Sequence, residues 1–239
     1  MLTPYGLEII ESCQACTMRA ERVFCDLPPD ALQIFDSISF PIAYPKEAVL
    51  FVEGQAPRGI YVLCQGRVKL SLCSSNGHTL ILKMVEPGEV LGLSATISGK
   101  PYEVRAETVD PCQVNFVRRE DVLCFLRGNS DACLRAAMQL SDKYSSTCRE
   151  IRALTLSHST AEKLATLLLG WNSRNGENPG AEPRVKLILT HEEIAQMIGT
   201  ARETVTRIFS DWKKRQIVEV KGTTLVIRNK AALKALGCQ

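Results

Sequence analysis

The stretch from residue 190 to residue 222 constrains the fold most, because it predicts two short helices joined by a turn. Thr190 with Glu193, and Thr200 with Glu203, have the spacing of a capping box, in which side chains satisfy the free N–H groups of a helix start. Apolar residues recur at helical spacing and indicate one buried face: Ile194, Ile198, Val205, Ile208, Phe209 and Trp212. This pattern predicts a helix-turn-helix.

The opposite face of the second predicted helix carries polar and charged side chains. A helix-turn-helix places this face against base edges in the major groove of DNA. The residues predicted to contact DNA there are Thr200, Arg202, Glu203, Thr206 and Arg207. Arginine can bind guanine through O6 and N7, and glutamate can accept from cytosine N4. Glu203 could instead serve only the cap, or pair with Arg207 one turn later.

Basic residues and a predicted hairpin follow the second helix. Residues 217–220 and 224–227 flank Lys221-Gly222 and predict a hairpin wing. The predicted phosphate contacts are Lys213, Lys214, Arg215 and Lys221. Residues 184–230 contain ten Lys/Arg and five Asp/Glu, whereas the net charge of the whole chain is only +3. A basic module joined to a mildly acidic remainder fits neutralisation of DNA phosphates.

The run from Thr200 to Arg207, TARETVTR in one-letter code, resembles the recognition-helix signature of the CRP/FNR family of bacterial transcription regulators. The resemblance implies an α+β fold with an N-terminal double-stranded β-roll, which is a cyclic-nucleotide-binding-like jelly roll. A long dimerisation helix and a C-terminal winged helix-turn-helix would follow. The expected divisions are a cysteine-containing segment at 1–29, the β-roll at 30–128, the dimerisation helix at 129–157 and the DNA-binding domain at 158–239.

The family resemblance also implies partners. A symmetric homodimer would contact two half-sites of double-stranded DNA in inverted repeat, and RNA polymerase would be a further partner. Arg202 is similar to the cyclic-AMP-receptor branch, which implies TGTGA-like half-sites, with TTGAT-like half-sites as the alternative. No catalytic constellation or phosphate loop is recognisable, so an enzyme is not expected. The chain shows no run of about 18 apolar residues and no signal peptide, so a cytoplasmic protein without membrane contact is expected.

Glycines at positions 54, 66, 77 and 88 punctuate short apolar runs. Regular short strands with glycine turns are typical of an antiparallel barrel or jelly roll, which agrees with the β-roll. Asn76-Gly77 predicts a hairpin, because both residues tolerate positive φ. A short helix over residues 30–37 is expected before the strands.

Nucleotide-binding members of the family hold the ribose with a glutamate and the cyclic phosphate with an Arg-Ser pair. Leu93 stands where that glutamate is expected, and Lys100-Pro101 stands in place of the Arg-Ser pair. Proline offers neither a hydroxyl nor an N–H, and lysine lacks the bidentate guanidinium fork. Binding of cyclic AMP is therefore not expected.

Three cysteines lie close together near the N-terminus. Cys13 and Cys16 form a C-x-x-C pair, and Cys25 follows after eight intervening residues. Thiolates that converge from a short irregular segment suit a soft metal site. In the oxygen-sensing branch of the family, such a cluster and one cysteine late in the sensory domain hold a [4Fe–4S] cluster. The resemblance implies Cys13, Cys16, Cys25 and Cys112 as ligands, although the spacing before Cys25 is longer than that branch usually has.

Several alternatives to the cluster remain open at this stage. The thiols could be ordinary reduced cysteines or a zinc site, and the regulator could respond to a small ligand in the β-roll. A thiol-redox protein is a further alternative, but the C-x-x-C does not start a helix beside a βαβ unit. Other cysteines lie in apolar patterns and are expected to fill the core: Cys64, Cys73, Cys124, Cys133 and Cys148.

Residues 131–156 contain neither proline nor glycine, and they predict one helix about 39 Å long. Apolar residues at three–four spacing indicate a face that packs against a partner helix. In the family this helix forms the homodimer interface, which implies dimerisation through Leu134, Ala137, Met138, Tyr144, Ile151 and Leu154. A helix packed within one chain is the alternative.

Overall fold

The computed structural model of the protein describes residues 5–16, 19, 22, 25–156, 159–174, 184–186, 189–221 and 224–237. The chain divides into two compact units, one from Met1 to Ser146 and one from Thr147 to Gln239. The division falls inside a long helix, which therefore contributes residues to both units.

The described part of the first unit contains two four-stranded antiparallel sheets. Their strands are β1 Phe40–Tyr44, β2 Val49–Phe51, β3 Gly59–Gln65, β4 Val68–Cys73, β5 Thr79–Val85, β6 Val90–Leu91, β7 Arg105–Thr108 and β8 Cys112–Arg118. One sheet has the order β1-β8-β3-β6 and the other the order β2-β7-β4-β5. This arrangement is the predicted jelly-roll β-roll, so the fold class is confirmed.

Strands β4 and β5 form the hairpin that Asn76-Gly77 predicts, with Cys73 opposite Thr79. Gly77 has a φ of 80°, and its N–H donates to the carbonyl oxygen of Ser74 at 3.0 Å. Glycine reaches this left-handed conformation without steric cost because it has no β-carbon.

Helices cover one face of the β1-β8-β3-β6 sheet. They are α1 Pro29–Ser37, α2 Leu93–Ser98, α3 Arg119–Gly128 and the first part of α4 Ser130–Leu156. Ile60, Val62 and Val117 on the helix-covered face pack with α1, α3 and α4, and we call this the outer face. Leu63 and Val114 point the other way, into a core shared with the second sheet, and we call this the inner face. Alternation of side chains along each strand separates the two cores.

The second unit contains four helices and three strands in its described part. These are α5 Thr160–Arg174, β9 Arg184–Lys186, α6 His191–Ile198, α7 Arg202–Lys214, β10 Val218–Lys221, β11 Thr224–Ile227 and α8 Lys230–Gly237. The sheet order is β10-β11-β9, all antiparallel. The predicted wing hairpin is confirmed, whereas β9 and α8 are additions that the sequence pattern did not predict.

The core of the second unit confirms the apolar face predicted for the two short helices. Ile194, Ile198, Val205, Phe209 and Trp212 are buried together, and Ile208 is half-buried against them. Helix α5 contributes further buried side chains to this core, which therefore holds α6 and α7 in a fixed relation.

Candidate nucleic-acid interface and metal centre

The first helix of the pair begins with the predicted capping box. The hydroxyl oxygen of Thr190 accepts from the N–H of Glu193 at 3.2 Å, and the Glu193 carboxylate accepts from the N–H of Thr190 at 2.8 Å. Gly199 ends α6 with a φ of 64°, which lets the chain turn sharply toward α7.

The second predicted capping box is wrong. Helix α7 begins at Arg202, its N-cap residue is Ala201, and no side chain caps it. Thr200 therefore lies one residue before the cap, and Glu203 occupies the second position of the helix instead of the third. A hydroxyl at Thr200 cannot take the geometry of a capping box from that place.

The remaining residues predicted to contact DNA share one exposed face of α7. Arg202, Glu203, Thr206 and Arg207 are exposed, while Val205 and the aromatic residues on the other side are buried. Among the residues that the structure describes, no ion pair joins Glu203 to Arg207, so the intrahelical pairing alternative is not observed. These charges remain available to a partner.

His191 is a residue of this surface that the sequence reasoning missed. Its Nδ1 lies 2.9 Å from the hydroxyl of Thr206, which also donates to the carbonyl oxygen of Arg202 at 3.0 Å. The imidazole stacks on Phe209 with ring centroids 5.2 Å apart. Burial, and then the positive charges of Lys213 and Arg202, lower the pKa of His191. His191 thus orients Thr206 from the neighbouring helix.

The predicted phosphate contacts lie at the end of α7 and in the wing. Lys213 and Lys214 are exposed, and Arg215 is exposed but forms an ion pair with Asp211 at 3.3 Å. Lys221 is the last residue of β10, and its side chain lies outside the described part of the structure. A row of cations beside an exposed polar helix face is the charge distribution expected of a DNA-binding surface.

Aromatic side chains pack in the inner core of the β-roll. Tyr102 stacks on Phe51 with centroids 4.0 Å apart, and its hydroxyl donates to the carbonyl oxygen of Gly59 at 2.9 Å. Leu93 is buried on the outer face, and Lys100 and Pro101 are exposed.

Sequence profiles of two domains match the chain. The Crp-like helix-turn-helix domain matches residues 162–236, and the cyclic nucleotide-binding domain matches residues 41–129. The chain belongs to the CRP/FNR family. It is therefore a DNA-binding transcription regulator, and its relatives are regulators and not enzymes.

Similar proteins in other organisms span nearly the same length. The chain is 23% identical over 211 residues to a CRP-like cAMP-activated global transcriptional regulator of Mycobacterium tuberculosis, covering 88% of this chain and 94% of the relative. It is 26% identical over 206 residues to the transcriptional activatory protein AadR of Rhodopseudomonas palustris, covering 86% and 84%. The solved structure of FixK2 from Bradyrhizobium japonicum has the same fold, with a TM-score of 0.73, 22% identity and coverage of 84% of this chain and 98% of that one.

The N-terminal segment of this regulator is anchored on the outer face of the β-roll. The backbone of Ile10 exchanges two hydrogen bonds with the Gln113 side chain, at 2.8 and 2.7 Å. The N–H of Cys13 donates to Asp36 at 2.8 Å, and the Asn115 amide donates to the Cys13 sulfur at 3.2 Å. These contacts hold the first cysteines against β8 and α1.

Cys13 and Cys25 are half-buried and pack against the outer core. Burial, followed by the Asp36 carboxylate, raises the pKa of Cys13 to about 12. Burial raises the pKa of Cys25 to about 11, while Arg22 acts to lower it. In the metal-free protein, burial thus favours the protonated form of both thiols.

Cys112 does not join the other three predicted ligands. It is fully buried on the inner face beside Val114, and its thiol lies 3.3 Å from the carbonyl oxygen of Arg67 and 3.1 Å from that of Asp110. Cys13 is held at Asn115 on the outer face of the same sheet. Because Cys112 and Asn115 are an odd number of residues apart on β8, their side chains point to opposite faces. The structure therefore does not bring Cys112 to the face that holds Cys13, and its role as a ligand stays a prediction.

Helix α4 confirms the predicted span within one residue and exposes most of the predicted stripe. Ala132, Ala136 and Leu140 pack on the outer core. The exposed residues on the other side are Leu134, Ala137, Met138, Tyr144 and Ile151, while the side chain of Leu154 lies outside the described part. Among the described helices, none combines the length and apolar character that a membrane crossing requires.

Proposed function

We propose that this regulator binds inverted-repeat DNA as a homodimer under the control of an oxygen- or redox-sensitive iron–sulfur cluster held by its N-terminal cysteines. The main support for this proposal is that Asn115 and Asp36 form hydrogen bonds with Cys13 on the outer face of the β-roll. This anchoring places a cysteine-rich segment against the sensory domain, where a change in ligation can alter packing.

The number and spacing of the N-terminal thiols support the proposed cluster. Three cysteines lie within thirteen residues, and iron–sulfur clusters are held by thiolates. In the described part of the chain, no group of three or more His, Cys, Asp or Glu side chains is placed to hold one metal ion. The buried Asn115 Oδ1 also has no hydrogen-bond partner among the described residues, which leaves this polar spot unsatisfied.

The exposed stripe of α4 supports dimerisation through a second copy of the chain. Leu134, Met138 and Tyr144 present apolar surface at helical spacing, and symmetric pairing of this helix would bury it twice. Two copies of α7 would then contact two half-sites. Arg202 and Arg207 would bind guanines and Glu203 a cytosine, in half-sites of the TGTGA type, with RNA polymerase as a further partner by family resemblance.

Control of DNA binding requires that ligation favours one of two states of the protein. A bound cluster supplies iron–thiolate coordination that oxidation breaks. Ligation by Cys13, Cys16 and Cys25 would fix the N-terminal segment on the β-roll close to Ala132 and Ala136 of α4, which share its core. Release of these cysteines would loosen that packing and weaken the dimer.

The test is anaerobic purification of the full chain, with iron and sulfide assays, a visible spectrum and sedimentation before and after exposure to air. We expect about four irons per chain, bleaching in air, and loss of dimer and DNA affinity on bleaching. Equal dimerisation of loaded and iron-free protein would reject the control mechanism. Protein free of iron after anaerobic purification and reconstitution would reject the cluster.

A second candidate function is a response to a small ligand in the β-roll. It is favoured by the match to the cyclic nucleotide-binding domain and by the name of the M. tuberculosis relative, a cAMP-activated regulator. Tyr102 and Phe51 fill the inner core, and Pro101 takes the place of a phosphate-binding residue. We therefore expect cyclic AMP to leave the thermal midpoint unchanged, and a concentration-dependent rise would favour this second function.

A further inference from the structure

The hydroxyl of Thr206 on α7 is held by two groups of the protein itself. It donates to the carbonyl oxygen of Arg202, one turn earlier in the helix, at 3.0 Å. Its oxygen also lies 2.9 Å from Nδ1 of His191, the first residue of α6. A threonine hydroxyl has one proton and two acceptor lone pairs. Because the proton goes to Arg202, the hydrogen-bond network assigns a proton to Nδ1 of His191, which donates to Thr206.

The other tautomer of the imidazole leads to the same conclusion for the hydroxyl. If Nδ1 of His191 carried no proton, Thr206 would donate to it instead of to Arg202. In both arrangements the proton of the hydroxyl is used inside the protein. Thr206 therefore has no proton left to donate to a phosphate oxygen, to guanine O6 or N7, or to thymine O4.

His191 is itself fixed, so it is a rigid partner for Thr206. Its imidazole stacks on Phe209 with ring centroids 5.2 Å apart and planes 18° from parallel. Phe209 is buried in the core that joins α6 and α7. His191 also follows Thr190 directly, and the capping box at Thr190 fixes the start of α6. The backbone and the stacked ring thus hold the imidazole, and its hydrogen bond holds one rotamer of Thr206.

The methyl group of Thr206 is the part of this side chain left to a partner. The two hydrogen bonds direct the oxygen toward α6 and the backbone of α7. Thr206 is nevertheless exposed, on the face of α7 that carries Arg202, Glu203 and Arg207. In the major groove, thymine differs from the other bases by its C5-methyl group, and the methyl group of threonine can recognise it by apolar contact.

From the hydroxyl proton used inside the protein and the exposed methyl group, we infer that Thr206 recognises the C5-methyl group of one thymine in each half-site. His191 is the positioning residue that fixes this recognition from the neighbouring helix. A hydrogen bond from Thr206 to a phosphate is the contact that this assignment excludes. The inference rests on the proposed contact of α7 with base edges, and it does not depend on the iron–sulfur cluster.

The test begins with selection of a preferred site from random double-stranded DNA by the full-length protein under anaerobic conditions. Each thymine of the selected half-site, on either strand, is then replaced by uracil, which lacks only the C5-methyl group. At one thymine the unchanged protein should lose affinity about fourfold per half-site, as expected for one buried group the size of a methylene. Uracil at the other thymines should have little effect.

Two substitutions at Thr206 separate its methyl group from its hydroxyl. Thr206→Val keeps the methyl group and removes the hydroxyl, so it should bind like the unchanged protein and stay sensitive to uracil. Thr206→Ser keeps the hydroxyl and removes the methyl group, so it should bind the thymine and uracil sites equally. The reverse pattern, with Thr206→Val weakened on every sequence and Thr206→Ser unaffected, assigns the hydroxyl to a phosphate and overturns the inference.

Substitutions on α6 test the positioning role. His191→Ala frees the rotamer of Thr206, so the effect of uracil should largely disappear. His191→Asn places an N–H donor where Nδ1 lies and should restore most of the effect. Glu192→Ala changes the next residue, which is exposed, and is the control that should leave the effect unchanged. Far-UV circular dichroism and urea midpoints establish that each variant is folded, and an unchanged uracil effect in His191→Ala overturns the role of His191.

The selection step separates failure of this inference from failure of the proposed function. If no inverted repeat is enriched, the proposed contact of α7 with base edges is rejected, and the assignment of Thr206 falls with it. If an inverted repeat is enriched but no thymine in it is sensitive to uracil, only the assignment of Thr206 is overturned.

Discussion

Helices α4 and α7 each bury one face and expose the other, but their exposed faces differ in chemistry. Helix α4 exposes apolar side chains, with Leu134 at 61% and Tyr144 at 73% of full exposure. Helix α7 exposes Arg202, Glu203 and Arg207, which form no ion pair with one another among the described residues. An exposed apolar stripe is unfavourable in water and is stabilised when it packs against another protein. Unpaired cations are stabilised when they bind phosphates and base edges. The comparison assigns a protein partner to one helix and a nucleic-acid partner to the other.

The largest effect is expected from a charge in the apolar stripe. Leu134→Glu should remove about 1.5–3 kcal/mol of apolar burial from each copy, and so twice that from a symmetric dimer. Sedimentation equilibrium should show monomers at concentrations where the unchanged protein is dimeric. Lys143→Glu is the control. It introduces glutamate at an exposed position of α4 outside the stripe and should leave the dimer intact. Equal dimerisation of the two variants would break the assignment of a protein partner to α4.

The next effect concerns base recognition by α7. Arg207→Ala should cost about 1–3 kcal/mol per half-site and relax the preference at one base position. Binding to a TGTGA palindrome and to its single-base variants measures both changes. Arg215→Ala is the matched control, because Arg215 is exposed but already paired with Asp211. It should weaken all sites slightly and equally, and the assignment of base contact fails if the two variants behave alike.

A smaller effect, on stability, is expected from substitutions at the start of α6 and before α7. Thr190→Ala should destabilise the second unit by about 1 kcal/mol, because it removes the cap of α6. Thr200→Ala should change stability less, because Thr200 does not cap α7. Urea denaturation of both variants measures the difference, and a larger loss at Thr200 would contradict the observed helix start.

The smallest effect is a pH dependence from His191. Its pKa is lowered in the folded protein, so the folded state favours the neutral imidazole. The stability contributed by neutral His191 is present above its ordinary pKa of about 6.5 and is lost as the pH falls toward the lowered folded value. Urea midpoints at pH 7.5 and at successively lower pH should fall more for the unchanged protein than for His191→Gln. Parallel slopes would exclude His191 as the cause.

Local signals predicted the elements that local chemistry controls. The capping pair at Thr190 and Glu193, the turn at Asn76-Gly77 and the span of α4 depend on neighbours within one or two turns of chain. The capping-box spacing gave a wrong prediction at Thr200, because α7 begins at Arg202 after the tight turn at Gly199. His191 was missed because its contact with Thr206 crosses between two helices.

The sequence by itself determined the helix-turn-helix, the β-roll and the exposed stripes, because periodic apolar residues and glycine turns specify elements and their buried faces. Only the tertiary structure decided where Cys112 lies. Its local sequence does not show which face of the strand it occupies. On β8, side-chain alternation sends Cys112 to the inner face and Asn115, which donates to the Cys13 sulfur, to the outer face. The physical reason is that the face of a strand residue depends on register with a distant strand, which the local sequence does not contain.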